Sequence, residues 1–163
     1  MKESKYLQDN IQNIQKLFVI PALKNFETKS LSRLIKLSKV RQYEAGETII
    51  KEGDTDSWLY FLLSGEVKIV KDNHQITKMD RQGEMFGEMR FLDNRSRSTS
   101  VIAVGPTVCL AVNTTGTARL SSAGEAGNFL LMLYQVISEY VSMRLRLTNE
   151  EPVSYTHLRA HET

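Results

Sequence analysis

The sequence predicts a mainly β protein, a sandwich or barrel of short antiparallel strands with helices before and after it. Three observations predict this class. Apolar residues recur at helical spacing over residues 7–18 and 31–37. From residue 40 to residue 113, short apolar runs alternate with glycine-containing turns, which is typical of antiparallel strands. Helical spacing returns at Asn128 and continues to residue 147.

The N-terminal segment, residues 1–38, is expected to hold two helices. Pro21 interrupts the first apolar run, because proline cannot donate the backbone hydrogen bond of a helix interior. The second helix is expected to be capped near Thr28 or Ser30, since hydroxyl side chains accept bonds from the free N–H groups of a first helical turn.

The strands are expected between these helices and residue 113. Their predicted positions are residues 40–43, 48–51, 58–63, 66–71, 75–79, 98–104 and 108–113. Between the fourth and fifth strands, Lys71-Asp72-Asn73-His74 predicts a hairpin turn, because Asp and Asn tolerate the left-handed backbone that such turns require.

The C-terminal helix is predicted to begin at Asn128, after a loop over residues 114–127 that is rich in Thr, Ser, Gly and Ala. Its apolar residues follow an unbroken heptad spacing that predicts a homodimer through a partner helix. These residues are Phe129, Leu133, Val136, Tyr140, Met143 and Leu147. The alternative is a helix wholly buried on its own domain.

Composition excludes several classes of protein. A formal net charge of +2 over 163 residues gives no electrostatic footprint for nucleic acid. No apolar run approaches the ~20 residues of a membrane span, and the opening residues form no secretory signal. The single cysteine, Cys109, lies in an apolar strand and predicts a buried, inert thiol. We expect a cytoplasmic protein without membrane contact.

No catalytic constellation stands out in the sequence. It contains no Ser/His/Asp set, no cluster with metal-ligand spacing and no Walker loop. His74 lies in a hairpin turn without neighbours suited to acid–base chemistry. We therefore expect neither an enzyme nor a metal site.

The last residues have a different character. Residues 153–163 resemble the translation of a sequencing adapter rather than part of a domain, and Pro152 stands at the junction. Residues 152–163 are accordingly set aside from the fold prediction. We expect the natural chain to continue beyond Glu151.

The segment from Phe86 to Val101 carries the chemistry. It sets Gly87-Glu88 ten residues before Arg97-Ser98. A glycine allows close backbone approach to a ligand, and the free N–H groups of a short helix after it favour an anion. An arginine supplies a planar, permanently charged fork for phosphate oxygens, while a glutamate suits a sugar hydroxyl. The pattern predicts a ligand with a phosphate beside a ribose.

This segment resembles the phosphate-binding cassette of the cyclic nucleotide-binding domains, the family of catabolite-activator-type regulators and of the regulatory subunits of cAMP-dependent kinase. The resemblance covers about residues 15–147 and includes further motifs in the family's order. They are Pro21-Ala22-Leu23-Lys24-Asn25-Phe26, Ala45-Gly46-Glu47, Lys51-Glu52-Gly53-Asp54 and the run from Leu59 to Val67.

The resemblance implies an antiparallel jelly-roll β-barrel, of the cupin-like kind, over residues 39–127, followed by a lid or dimerisation helix over residues 128–151. It implies cAMP or cGMP as the ligand, with Glu88 on the ribose and Arg97 on the phosphate. The full set of ligand-binding residues carried over is Gly87, Glu88, Met89, Arg97, Ser98 and Thr99. The expected function is a regulatory module that transmits occupancy through its C-terminal helix.

Three positions depart from the family pattern. Arg90 stands where the family has a small residue, so its long side chain must leave the pocket or add a second charge. Ser96 replaces a common proline, and Arg95 introduces a choice of which arginine points inward, although the spacing favours Arg97.

Other interpretations stay open. In one alternative, Glu88 does no more than cap the short helix after Gly87. In the same alternative, Arg97 pairs with Asp93 or Glu88 at the surface. At the level of the whole protein, one rival is a transcription regulator whose helix-turn-helix lies beyond Glu151. The other is a scaffold of the same fold that dimerises without a ligand.

Overall fold

The computed structural model describes the backbone of residues 1–117, 120 and 122–159, and within those ranges the side chains up to residue 146. The helices are α1 (Ile11–Leu17), α2 (Thr28–Lys36), α3 (Glu88–Asp93) and α4 (Ala123–Arg159), with a 3-10 turn at Pro21–Leu23. The strands are β1 (Lys2–Glu3), β2 (Ser38–Tyr43), β3 (Thr48–Ile50), β4 (Trp58–Ser64), β5 (Val67–Lys71), β6 (His74–Met79), β7 (Met85–Phe86), β8 (Ser100–Ala103) and β9 (Thr107–Asn113).

The strands form two antiparallel sheets. One has the order β1-β2-β9-β4-β7 and the other the order β3-β8-β5-β6. The mainly β class with flanking helices is confirmed. The prediction of a closed barrel differs from the structure, in which the two sheets do not join into one continuous barrel. The edge strands β1 and β7 of the larger sheet have two residues each, and neither pairs with a described strand of the smaller sheet.

The larger sheet separates two hydrophobic cores. Leu59 and Phe61 of β4 pack in the core formed with the helices. Tyr60 and Leu62 pack in the core between the sheets. Since alternate side chains of a strand point to opposite faces, a strand buried on both faces is apolar at successive positions. This explains the continuous apolar run of residues 59–63.

The N-terminal helix is shorter than predicted. It begins only at Ile11, because the Asn10 side chain caps it by accepting a hydrogen bond from the Asn13 N–H, at 2.9 Å. The preceding chain is extended, and β1 pairs with β2. Glu3 of β1 lies 2.9 Å from Lys39 and 2.6 Å from Arg41, and these ion pairs hold the strand on the sheet edge.

Helix α2 was expected to carry a hydroxyl cap. Glu27 takes the cap position, and its side chain makes no capping hydrogen bond. Instead, Leu31 donates the first intrahelical bond to the Glu27 carbonyl, at 3.1 Å. Thr28 already lies inside the helix, so neither Thr28 nor Ser30 is the cap.

Helix α4 begins at Ala123, five residues before the predicted start. The Ser122 hydroxyl accepts a hydrogen bond from the Glu125 N–H at 3.1 Å, an N-terminal cap. Ser122 and Glu125 have the spacing of a capping box, a signal that the prediction overlooked. None of the described helices is long and apolar enough to cross a bilayer.

The heptad residues of α4 do not form a free seam, which corrects the prediction that they mediate a homodimer. Phe129, Leu133, Val136 and Tyr140 are buried in the core shared with α1 and α2. Met143 is half-buried, and the Leu147 side chain lies outside the described residues. The alternative, a helix buried on its own domain, fits this stretch, because a heptad stripe is also one face of any amphipathic helix.

Candidate ligand-binding site

A cavity of about 310 Å³ opens between α3 and the smaller sheet. Its apolar side is formed by Ile50, Ile69 and Val101. All six residues predicted to bind the ligand line this cavity: Gly87, Glu88, Met89, Arg97, Ser98 and Thr99. Its volume lies within the usual range for small-molecule sites, roughly 300–1,000 Å³.

Gly87 shapes the entrance to α3. Its φ of +85° is left-handed, and a Cβ there would lie 3.0 Å from Nη1 of Arg97 and 3.1 Å from Cδ1 of Ile50. A side chain at this position is therefore disfavoured both by backbone strain and by these close contacts. The glycine lets the strand turn into α3 while the Arg97 side chain passes beside it.

Arg97 is the most completely held side chain of the site and is only 5% exposed. Its Nη2 and Nε bind the two carboxylate oxygens of Asp56, at 2.7 and 3.3 Å. Nη1 donates to the Gly87 carbonyl at 2.7 Å, and Nη2 also donates to the Trp58 carbonyl. We call this arrangement of Arg97 with Asp56, Gly87 and Trp58 the arginine clasp.

Asp56 is a site residue that the sequence analysis missed. Burial alone would raise the pKa of Asp56, but the hydrogen bonds and charge of Arg97 outweigh burial and hold that pKa below its usual value. Asp56 therefore stays ionised opposite Arg97. An aspartate in a polar turn before a strand carries no sequence signal of its own, so only the fold brings this pair together.

The backbone of Arg97 is fixed to the same loop. Its N–H donates to the Asp54 carbonyl at 2.7 Å, and its carbonyl accepts from the Gly53 N–H at 2.8 Å. The loop before β4 therefore holds Arg97 by both main chain and side chain.

Glu88 begins α3 and lies at the cavity wall. Burial raises the pKa of its carboxyl, with smaller opposing effects from its own backbone N–H and from Arg144 and Arg97. Glu88 is half-buried and forms no ion pair with a described residue, and such a carboxylate gains from a hydroxyl donor. This is the chemistry that a sugar hydroxyl supplies.

The two unusual arginines do not enter the clasp. Arg90 turns toward Thr55 and Asn94, donating to the Thr55 carbonyl at 3.1 Å and to the Asn94 side chain at 2.8 Å. Arg95 is exposed at the cavity rim, as is Ser96. Arg97 is thus the arginine that points inward, in agreement with the spacing from Gly87.

Phe91 of the cassette and Glu84, just before the cassette, contact α4. The rings of Phe91 in α3 and Tyr134 in α4 lie 4.9 Å apart between centroids. Glu84, just before β7, pairs with Arg144 at 3.3 Å. Burial raises the pKa of Glu84, with Arg144 opposing the shift. The Glu84 side chain is half-buried at this contact.

Comparison with known proteins identifies the family. The family model of the cyclic nucleotide-binding domain matches residues 40–123, just over half of the chain. The chain belongs to the cyclic nucleotide-binding domain family.

Relatives of this domain include protein kinases and their regulatory subunits. The domain is similar to the human cGMP-dependent protein kinase 2, with 32% identity over 100 residues, which are 58% of this chain and 13% of the kinase. It is also similar to the type II regulatory subunit of cAMP-dependent protein kinase from Drosophila melanogaster. That match has 35% identity over 97 residues, 57% of this chain and 25% of the subunit. The chain thus spans a quarter or less of the length of these relatives.

A solved structure has the same fold. A cyclic nucleotide-binding domain from Methylobacillus flagellatus superposes with a TM-score of 0.69 and 18% identity, over 88% of this chain and 84% of that one. This confirms the predicted fold class, antiparallel sheets with flanking helices, as that of the cyclic nucleotide-binding domains. Within the described residues, no cluster of three or more His, Cys, Asp or Glu side chains could hold a metal ion.

Proposed function

We propose that this domain binds a cyclic purine mononucleotide in the cavity beside α3, with cAMP as the first candidate and cGMP as the second. One observation carries the proposal. The six residues that the cassette pattern selects line a single cavity of about 310 Å³ in a member of the cyclic nucleotide-binding family.

In this proposal Glu88 accepts a hydrogen bond from a ribose hydroxyl and Arg97 binds the cyclic phosphate. A guanidinium has five N–H donors, and the clasp engages four hydrogen bonds of Arg97. A phosphate must therefore take the remaining donor and replace the bond to the Gly87 or Trp58 carbonyl. Asp56 keeps the guanidinium oriented during this exchange. Gly87, Met89, Ser98 and Thr99 supply the surrounding contacts.

Calorimetric titration with cAMP and cGMP tests the proposal. Removing the ribose contact by Glu88→Gln should weaken binding by about tenfold, the value of one hydrogen bond to a charged group. Arg97→Lys keeps a charge but loses the fork, and should weaken binding more. Glu139→Gln and Arg146→Lys, which lie away from the cavity on α4, are the matched controls. Absence of binding by the unmodified domain would leave the ligand-free scaffold as the better explanation.

We further propose that occupancy is transmitted from residues 39–127 to the helix over residues 128–151. The Phe91–Tyr134 ring contact supports this, because α3 carries both a cavity residue and the contact with α4. Hydrogen exchange of α4 amides, with and without cyclic nucleotide, measures the transmission. Phe91→Ala should retain binding and lose the change in α4. An unchanged response in that variant would exclude this route.

We propose a homodimer through a different face of α4 from the heptad residues. Leu130, Tyr134, Val141 and Leu145 are 40, 51, 42 and 58% exposed and lie along one side of the helix. Burying such a stripe against a second copy would remove a substantial apolar area from water. Sedimentation should show a dimer that Leu145→Glu converts to a monomer, while Ser142→Glu does not.

The matched family is defined by ligand binding rather than by catalysis, which supports a regulatory module and not an enzyme. Its relatives include kinases, but the chain covers only 13% of the human cGMP-dependent protein kinase 2. We place the module in the cytoplasm, in keeping with a free and buried Cys109.

A further inference from the structure

A second buried arginine lies far from the clasp along the chain and is not explained by cyclic nucleotide binding. Arg33 of α2 is 7% exposed. Its Nε is buried without a hydrogen-bond acceptor, and it forms no ion pair with any residue that the structure describes. Arginine stays protonated in proteins, so this side chain carries a positive charge without a counter-charge among the described residues. A buried N–H donor without an acceptor is costly, so the Nε of Arg33 would gain from an acceptor supplied by a ligand.

Arg33 lines a groove of about 490 Å³ between α2 and α4. Side chains on a helix lean toward its N-terminus, so Arg33 lies over the first turn of α2. Lys29 and Ser30 of that turn line the same groove. The arginine thus shares one groove with the first turn of its own helix.

The start of α2 is also open. The first intrahelical bond is donated by Leu31, and the Glu27 side chain does not cap the turn. The N–H groups of Thr28, Lys29 and Ser30 are therefore the free donors of the helix start. Free N–H groups and the positive end of a helix dipole favour an anion.

The charged groups lining the groove are Arg33, Lys29 and the carboxylate of Glu27. Two cations against one anion leave a net positive charge. Asn25, Asn128 and Gln135 add neutral amides from the facing elements. A guanidinium fork beside helix N–H groups matches the oxygens of a phosphate better than a single donor does.

We propose that the α2–α4 groove is a second anion site, which binds the phosphate group of a small molecule through Arg33 and the first turn of α2. It is separate from the cavity beside α3, since the two share no lining residue. Glu27 limits the affinity by repulsion. A ligand that also donates a hydrogen bond to Glu27 fits the groove best.

Titration of the complete domain with inorganic phosphate, followed by ¹H–¹⁵N NMR, tests this site. The amide signals of Thr28, Lys29 and Ser30 should shift saturably in phosphate and not in chloride of equal ionic strength. Signals of the cassette amides report any phosphate bound beside Arg97 separately. Arg33→Met should weaken the binding at α2 by about tenfold or more, the loss of a charge-assisted interaction. Lys16→Met on α1 removes an equal charge outside the groove and should leave phosphate binding at α2 unchanged.

Glu27→Gln provides an independent check if Arg33→Met does not fold, because removing the repelling carboxylate should tighten phosphate binding. The assignment is overturned if the α2 amides do not respond to phosphate. It is also overturned if the response survives Arg33→Met, or if it appears only with vesicles of phosphatidylglycerol and not with free phosphate.

Discussion

Arg97 and Arg33 are buried to nearly the same extent, 5 and 7% exposed, in opposite electrostatic settings. Arg97 binds a carboxylate and two carbonyls of its own chain. Arg33 has an Nε without any acceptor among the described residues. Burial of a charge is therefore an ambiguous observation by itself. The partners decide whether the charge stabilises the fold or is available to a ligand.

The sharpest difference should appear when each arginine is replaced by methionine. Arg97→Met leaves Asp56 and the Gly87 and Trp58 carbonyls without their donor. Loss of such a pair should lower the free energy of unfolding by about 3 kcal/mol, within the range for breaking buried, hydrogen-bonded pairs. Urea denaturation measures this. Arg95→Met, two residues away and exposed, should change stability by less than about 0.5 kcal/mol. A loss that small for Arg97→Met would contradict a stabilising role of the arginine clasp.

The next largest loss of stability is expected from a substitution of Gly87, the glycine beside the Arg97 side chain. Gly87→Ala should lower stability by about 2 kcal/mol, because a left-handed φ of +85° and close contacts with Arg97 act together. Gly46→Ala is a matched control with the same φ of +85° but open space around the new Cβ. Thermal unfolding of both variants separates the contact from the strain. Equal losses of stability in the two variants would mean that the close contact with Arg97 adds nothing to the backbone strain at residue 87.

Arg33→Met should have the opposite sign to Arg97→Met. Replacing an unpaired buried charge by an apolar side chain of similar length should raise the free energy of unfolding by about 1 kcal/mol in phosphate-free buffer. Urea denaturation beside the Lys16→Met variant measures the change. A marked destabilisation would show that Arg33 has a stabilising partner, and the contrast between the arginines would fail.

The smallest expected effect is the pH dependence of the cassette. Glu88 has a pKa raised in the folded state, so the folded state binds its proton more tightly than the unfolded state. Its contribution to stability should therefore fall as pH rises from the ordinary value of 4.5 through the raised pKa. Asp56 has a lowered pKa, so its contribution should be lost as pH falls below the ordinary value of 3.8.

Thermal unfolding from pH 3 to pH 8, with the pH range set by these reference pKa values, tests both signs. Glu88→Gln should remove the decline above pH 4.5 and keep the acid loss. If that variant and the unmodified domain lose stability equally above pH 4.5, another carboxyl is responsible for the loss. Glu84, whose pKa is also raised by burial, is then the first alternative.

The strands could be predicted closely because each is a local pattern. The hairpin of residues 71–74 shows this, since Asp72 and Asn73 have φ of 51° and 64°, the left-handed backbone that their residue types allow. The two-residue strands β1 and β7 were missed, because two residues establish no period.

The site could be predicted only in part, for a related reason. The cassette residues lie within one short segment, and the fold gathers them at one cavity. Asp56 is 41 positions from Arg97 and Glu84 is 60 positions from Arg144. Their pairing depends on tertiary packing, which no spacing along the chain reports. The prediction of a dimer seam from the heptad residues of α4 was wrong because the spacing is ambiguous. The same apolar stripe is expected for a dimer seam and for a helix that packs on its own core.

The two main-chain bonds that join Arg97 to Gly53 and Asp54 have a consequence for how the domain opens. Residues joined in this way unfold as one cooperative unit rather than one by one. The loop over residues 53–58 and the cassette arginine should therefore exchange their amide protons in step. A nucleotide that steadies one would slow exchange in the other, including at positions that it never touches.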